Sequence, residues 1–365
     1  MLDGPVLRPS FLAPLSLLES KERDWLPAGI SPGCGPTSEK SSGGRITAPM
    51  KLPLQLLGAG RWSGGGAAVL DNLYFFAERY PSILTTRGDA GGPCFVPRNV
   101  VPLGVLAGGD YVVMPQNLWA WRGGTRGWAE WWWRSRMRIA SEAALHRAGG
   151  VVRLCSDIPC DGFGHQPPLP NVLDASFERA FRRSTHWAEV QGGFTYFGTS
   201  YSYRNLSRLI EGYGEYRRLG GSRNLHLFIS HPTNASRLPR PLPAGCRVRL
   251  GSWTRSDVIS ATRSGHAAVF PSTVEASPIG LLEALAVSAR VVLSDIRGHR
   301  ETCRDLISDD CYFAPAVVVS IARALIRSET SLPTAAPFQQ TTEAREGARD
   351  QWAHGLHGRL VMMCC

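Results

Sequence analysis

A chain of 365 residues is long for a single hydrophobic core and predicts two domains. Hydrophobic residues at 43% and charged residues at 19% exclude a fully disordered protein, and no apolar run approaches the roughly 20 residues of a membrane-spanning helix. The formal charge of +10 comes from 37 arginines and only three lysines, and residues 1–50 and 326–365 are each balanced, so the basic excess lies in 51–325 and fits an anionic ligand or surface.

Nine cysteines without a CxxC pair exclude a zinc ribbon and a dense disulfide framework, and reduced thiols are expected. The N-terminus carries no basic segment followed by an apolar run, so a cytoplasmic location is expected. Between Ser31 and Gly44, ten of fourteen residues are Gly, Ser or Pro, too little apolar surface to offset the entropy of ordering them. Residues 1–50 therefore read as a disordered tail.

Leu52 to Leu57 reads as a buried strand. It runs into a glycine cluster, with Gly64, Gly65 and Gly66 as a candidate phosphate loop, and then into a helix whose face is Val69, Leu70, Leu73, Phe76 and Ala77. A plain turn remains the alternative for the glycines, because the GxGxxG spacing is not met. Further strands are expected at Tyr111 to Met114 and Val151 to Cys155.

The stretch 119–138 holds Trp119, Trp121, Trp128, Trp131, Trp132 and Trp133 beside Arg122, Arg126, Arg134, Arg136 and Arg138. It reads either as a core helix with solvated arginines or as a peripheral membrane contact, at the inner membrane face, through indole and guanidinium groups.

From Phe194 strands and helices alternate. Strands are expected at Phe194 to Gly198, Leu225 to Ser230, Arg247 to Leu250, Ala267 to Pro271 and Arg290 to Ser294. Helices are expected over Leu206 to Tyr216, Ser256 to Thr262, from Pro278, and over Val318 to Ile326. Such alternation predicts a parallel sheet covered on both faces, with ligands beyond the C-terminal strand ends. After a Ser/Thr/Pro-rich connector, Glu343 to Leu360 reads as a helix with Trp352, Leu356 and Leu360 on its apolar face.

The most informative segment is Val269 to Ala286. Ser277 before Pro278 is a helix start, with Ser as N-cap and Pro at the first helical position. The amides of Ile279, Gly280 and Leu281 would then face the strand-end crevice, a site for phosphate. Glu275 and Glu283 flank that start, and carboxylates there suit sugar or ribose hydroxyls.

Glu275, seven residues, then Glu283, inside FPSTVEASPIGLLEALA and followed by RVVLSDIRGHRE and DDCYFAP, resembles the retaining nucleotide-sugar glycosyltransferases of family four (glycosyl transferases group 1). The resemblance is close over Phe194 to Ile326 and loose over Leu52 to Asn171. It implies the GT-B fold, α/β with two Rossmann-like doubly wound domains facing across a cleft, the first one short. The implied division is an N-terminal acceptor domain over 51–185, a C-terminal donor domain over 186–327, and a connector plus helix over 328–365 that crosses back.

By the resemblance Glu275 contacts the transferred sugar and Glu283 the nucleotide ribose. In FTYFGTSYSYRN, Gly198 matches the family glycine, Thr199 stands where the family has Arg, and Arg204 stands where it has Lys to hold the donor diphosphate. The implied activity is hexosyl transfer with retention, in polysaccharide biosynthesis. Glu275 and Arg204 would be the catalytic pair, and Gly198, Thr199, Ser277, Ile279, Gly280, Leu281 and Glu283 would complete the donor site. No cofactor or metal is expected. The partners implied are a nucleotide-diphosphate sugar and a carbohydrate or lipid-linked acceptor. Nucleic acid is not expected, because the arginines are spread through both domains without a recognition motif. A sugar-nucleotide-binding protein of the same fold that has lost catalysis is the alternative function.

Overall fold

The computed structural model describes residues 54–57, 64–80, 112–115, six helical positions between 128 and 139, 150–158, 167–230, 238–287, 289–330 and 342–364. The 1–50 tail lies outside them. The first sheet joins β1 (Leu54–Leu57), β2 (Val112–Pro115) and β3 (Gly150–Val151) in that order, all parallel. Its register aligns Leu54 with Val112 and Val112 with Gly150.

The strand expected to reach Cys155 stops at Val151. The chain instead turns, with the Ile158 amide donating to the Cys155 carbonyl and the Leu169 amide to that of Arg153. Leu154 and Cys155 are buried by this turn rather than by strand pairing.

Helix α1 (Gly64–Arg79) follows β1. Gly64, Gly65 and Gly66 form its first turn rather than a loop ahead of it. Glycine is a poor helix former, so this first turn depends on the packing of the later turns, where Val69, Leu73 and Phe76 are buried in one cluster with Val152, Leu154 and Ile158.

The second sheet has six parallel strands: β4 (Phe194–Gly198), β5 (Leu225–Ile229), β6 (Cys246–Leu250), β7 (Ala267–Phe270), β8 (Val291–Ser294) and β9 (Tyr312–Phe313). Their spatial order is β6-β5-β4-β7-β8-β9. The order reverses between β4 and β7, and a doubly wound sheet opens its ligand crevice beyond the strand ends at such a switch point. That crevice is therefore framed by the residues after Gly198 and after Phe270.

The helices are α2 (Ala175–Arg183), α3 (Leu206–Arg218), α4 (Arg255–Ser264), α5 (Ile279–Ala286), α6 (Arg297–Cys303), α7 (Val318–Thr330) and α8 (Thr342–Cys364). Leu209, Ile210, Tyr213 and Tyr216 of α3 pack with Ile321, Ala322 and Leu325 of α7 over the inner face of β4, β5 and β7. Gly212 is required at that contact, since a Cβ there would meet Ile321 Cγ2 at 2.6 Å. Leu281, Ala284 and Leu285 of α5 cover the opposite face with Val291 and Leu293.

Helix α8 packs against α1. Trp352, Leu356 and Leu360 are buried with Val69, Leu73 and Phe76, and Arg349 donates to Asp71 Oδ2 and Asn72 Oδ1 of α1. Burial pushes the thiols of Cys155 up to about 11 and of Cys303 up to about 12, so both stay protonated near neutral pH.

Candidate functional site

The crevice at the switch point gathers four groups. Beyond β4, Gly198 runs close under Tyr196, and a Cβ on it would sit 2.5 Å from the Tyr196 hydroxyl, so only glycine fits. That hydroxyl donates to the Thr199 carbonyl at 2.7 Å, which fixes the turn. The hydroxyls of Thr199 and Ser200 are buried and have no hydrogen-bond partner. Arg204 follows in the single 3-10 turn Ser202–Arg204, ahead of α3 rather than inside it.

Beyond β7, Glu275 comes to Arg204. Arg204 Nη1 donates to Glu275 Oε1, and the Ser272 hydroxyl donates to the same oxygen at 2.8 Å. The guanidinium also lies over the Tyr203 ring, 4.8 Å from its centroid, while its Nε is buried and without a partner. Burial disfavours the charge on Arg204, but Glu275 more than offsets this and keeps it cationic.

Behind Glu275 runs a buried polar chain. His299 Nδ1 lies 2.9 Å from the Ser294 carbonyl and 3.1 Å from its hydroxyl. A carbonyl only accepts, so Nδ1 carries a proton. Burial lowers the His299 pKa and so favours the neutral imidazole. The Ser294 hydroxyl donates to the Ser272 carbonyl, and Ser272 in turn holds Glu275. His299, Ser294 and Ser272 are all buried, so Glu275 is held from below by a buried chain of side chains.

Glu275 is also braced on its backbone. Val274 and Ala276 on either side of it are buried in the cluster formed by α1, the turn after β3 and α8. The site therefore lies beside these three elements. Gly298 of α6 abuts it, because a Cβ there would fall 2.0 Å from the Glu275 carbonyl oxygen. Gly298→Ala is expected to displace this segment and destabilise the protein by about 1–3 kcal/mol. Thermal melting beside turnover checks this, and an unshifted Tm with full turnover would show that the contact is slack.

The start of α5 departs from the expected cap. Helix geometry begins at Ile279, with Pro278 at the N-cap and no side-chain cap. Ser277 is drawn away by the connector between the sheets: its hydroxyl accepts from the Asn171 amide at 2.8 Å, and its carbonyl accepts from Asn171 Nδ2 at 3.0 Å. The Leu281 amide bonds to the Pro278 carbonyl, and Leu281 is fully buried. The first-turn amides that remain are those of Ile279 and Gly280; Gly280 is exposed, whereas the Ile279 side chain is in the core.

Glu283 is placed differently from Glu275. Arg255, the first residue of α4, donates from Nε to Glu283 Oε1 at 2.5 Å and from Nη1 to Asp174 Oδ1 at 2.7 Å. Asp174 caps α2 by accepting from the Ser176 amide at 2.9 Å. Burial lifts the Glu283 carboxyl above the usual range against the pull of Arg255. Burial also opposes charge on Asp174, yet Arg255 and Ser176 outweigh it and hold Asp174 low. Sequence reasoning missed Arg255 and Asp174. The visible signal was Thr254-x-x-Asp257, which forms a capping box and anchors the turn that presents Arg255.

A cavity of about 490 Å3 opens between Leu169 to Val172, Glu301, Arg304 and the α8 residues Gln351 and Trp352, and neither Glu275 nor Arg204 lines it. Among the described residues no group of three His, Cys, Asp or Glu side chains is arranged to hold a metal ion, and no helix is long and apolar enough to cross a membrane.

A family model described as glycosyl transferases group 1 matches residues 194–329, the whole of the second sheet with α7. No curated protein gives a significant match. Among solved structures, alpha,alpha-trehalose 6-phosphate synthase from Burkholderia multivorans aligns with 86% of this chain and 99% of its own, at 8% identity and a TM-score of 0.54. The N-terminal domain of Candida albicans trehalose-6-phosphate phosphatase aligns with 90% of this chain and 100% of its own, at 10% identity and a TM-score of 0.52. At such identities the likeness is one of fold. The chain has the α/β GT-B architecture of Rossmann-like domains, and its residues 194–329 are similar to the glycosyl transferases group 1, which supports a sugar-transferring function.

Proposed function

We propose that the protein transfers a sugar from a nucleotide-diphosphate donor, held at the switch point of the second sheet, to a carbohydrate or lipid-linked acceptor on the side of the first sheet, with retention of configuration. The observation that carries this reading is the Arg204–Glu275 pair at the switch point. A cation for a leaving diphosphate and a carboxylate for sugar hydroxyls meet there, beside the unpartnered hydroxyls of Thr199 and Ser200. The bond from the sugar anomeric carbon to the diphosphate oxygen breaks with its electron pair going to the diphosphate. The acceptor oxygen bonds to the same carbon from the same face, and its proton passes to the departing diphosphate. Arg204 and the amides of Ile279 and Gly280 stabilise the charge that develops on that oxygen. In this reading the cations are supplied by protein, and neither a metal nor another cofactor is required.

Glu275 holds the transferred sugar. Glu283 binds the ribose, in exchange for its hydrogen bond from Arg255 Nε. A panel of UDP-, GDP- and ADP-sugars screened by thermal melting tests the donor half, since a ligand at a hundred times its Kd adds about 2.7 kcal/mol. A stabilising donor is the expected result, and no shift with any nucleotide or nucleotide sugar would contradict the reading. A second reading, a sugar-nucleotide-binding protein without catalysis, is favoured by Thr199, which supplies no charge, and by the engagement of Glu283 with Arg255. Donor binding without sugar release would select it.

A further inference from the structure

The turn that carries Arg204 also carries two tyrosines, which the donor chemistry leaves unused. Tyr201 and Tyr203 stack, with 6.1 Å between ring centroids and 12° between planes. The Arg204 guanidinium lies over the Tyr203 ring, 4.8 Å from its centroid, and the charges of Arg204 and Glu275 both act on the Tyr203 hydroxyl. Tyr203 packs against the cluster of α1, the turn after β3 and α8. Tyr201 is the exposed member of the stack, at 41%.

The backbone holds this stack in place. The Thr273 amide beyond β7 donates to the Tyr203 carbonyl at 2.8 Å, and the Arg204 amide closes the turn on the Tyr201 carbonyl at 2.9 Å. Asn205 ends the turn at a φ of 57°, a left-handed conformation that asparagine tolerates, and its Nδ2 donates to the Pro315 carbonyl at 2.8 Å. A flat aromatic face is thus fixed beside the Arg204–Glu275 pair before any ligand arrives, and a ring held in advance supplies contact area at little cost in entropy.

We propose that Tyr201 is a specificity-determining residue of the acceptor site, and that the acceptor presents a pyranose ring whose C–H face lies on the tyrosine ring. This rests on the proposed sugar transfer and deepens it by naming the acceptor class. The hydroxyls of a pyranose project from its edge and leave an apolar face that matches an aromatic ring. Two observations favour the acceptor over the donor nucleoside. The ribose is assigned to Glu283, which sits in a separate group with Arg255 and Asp174. The tyrosine stack adjoins Glu275 instead, where the reacting carbon lies, and reaches the cluster of α1 and α8 through Tyr203.

The test uses the full-length chain saturated with the nucleoside diphosphate of its stabilising donor. The probes are the methyl α- and β-pyranosides of glucose, mannose and galactose, followed by saturation-transfer NMR and titration. At least one pyranoside is expected to bind the wild type, with the strongest saturation on its ring C–H protons. Tyr201→Ala should weaken that binding about tenfold, and Tyr201→Leu, apolar but not flat, nearly as much. Tyr201→Phe keeps the ring and should stay within about twofold of wild type. The rise in Tm that the donor gives should be the same in every variant, which also shows that each is folded. Equal pyranoside affinity in wild type and Tyr201→Ala would overturn the proposal, as would a wild type that binds the donor but none of the pyranosides. Loss of donor affinity in Tyr201→Ala with pyranoside binding unchanged would overturn it too, by assigning the ring to the nucleobase. A wild type that binds no nucleotide at all would contradict the sugar-transfer reading itself, and this inference with it.

Discussion

Arg204→Ala should lower turnover roughly 100- to 1000-fold, the cost of about 2.7–4 kcal/mol that attends loss of one group stabilising transition-state charge. Thr199 contributes a hydroxyl and no charge, so Arg204 is the cation that the structure places against Glu275. Its removal also leaves Glu275, whose side chain is only 14% exposed, without a counter-charge. Arg204→Lys keeps the charge and loses the planar fork, so it should fall between wild type and alanine. Steady-state kinetics on the three proteins checks the order. Wild-type kinetics in Arg204→Ala would remove Arg204 from the reaction.

Arg255→Ala should be the most destabilising single substitution at the site, at about 3–5 kcal/mol. It leaves Asp174, with a fully buried side chain, and Glu283, at 11%, as uncompensated carboxylates. Urea unfolding measures this. The triple variant Arg255→Met, Asp174→Asn, Glu283→Gln removes all three charges and should recover most of the loss, which separates charge from packing. The sign with pH comes from Asp174. Its carboxyl is held below its ordinary value, so its contribution is complete at neutral pH, above the unfolded pKa, and is lost as pH falls through the depressed native value. Near-wild-type unfolding of Arg255→Ala would mean that water already solvates this cluster.

The second sheet was legible because its signals are local. Phe194 to Gly198 and Leu225 to Ile229 are short apolar runs, and Leu209, Ile210, Tyr213 and Tyr216 repeat at helical spacing, so element type followed from period alone. Helix α8 was read from Trp352, Leu356 and Leu360 for the same reason. The errors share an origin in partners distant along the chain. Ser277 is a good cap by residue type, but Asn171, 106 residues earlier, takes its hydroxyl. Asp174 and Arg255 are 81 residues apart, and no local pattern joins them. Helices α2 and α6 span nine and seven residues, too short for periodicity to stand out from a loop. The Val151 to Cys155 run is buried apart from Arg153, yet burial by a turn and burial by a strand look alike in sequence.

At the site, Glu275, Arg204 and Gly198 were visible as residues, while their supports were not. Ser272, Ser294 and His299 form a chain only once β7 and β8 lie side by side. His299 in particular was not singled out by any local pattern, and it is fully buried.

The most direct measurement is release of nucleoside diphosphate from the stabilising donor, followed with and without candidate acceptors, on wild type, Glu275→Gln and Glu283→Gln, with donor affinity measured by calorimetry on the same samples. Wild type should release the diphosphate. Glu275→Gln should bind the donor nearly as well yet turn over far more slowly, and Glu283→Gln should lose affinity first. Tight donor binding by the wild type with no diphosphate released under any acceptor would contradict sugar transfer.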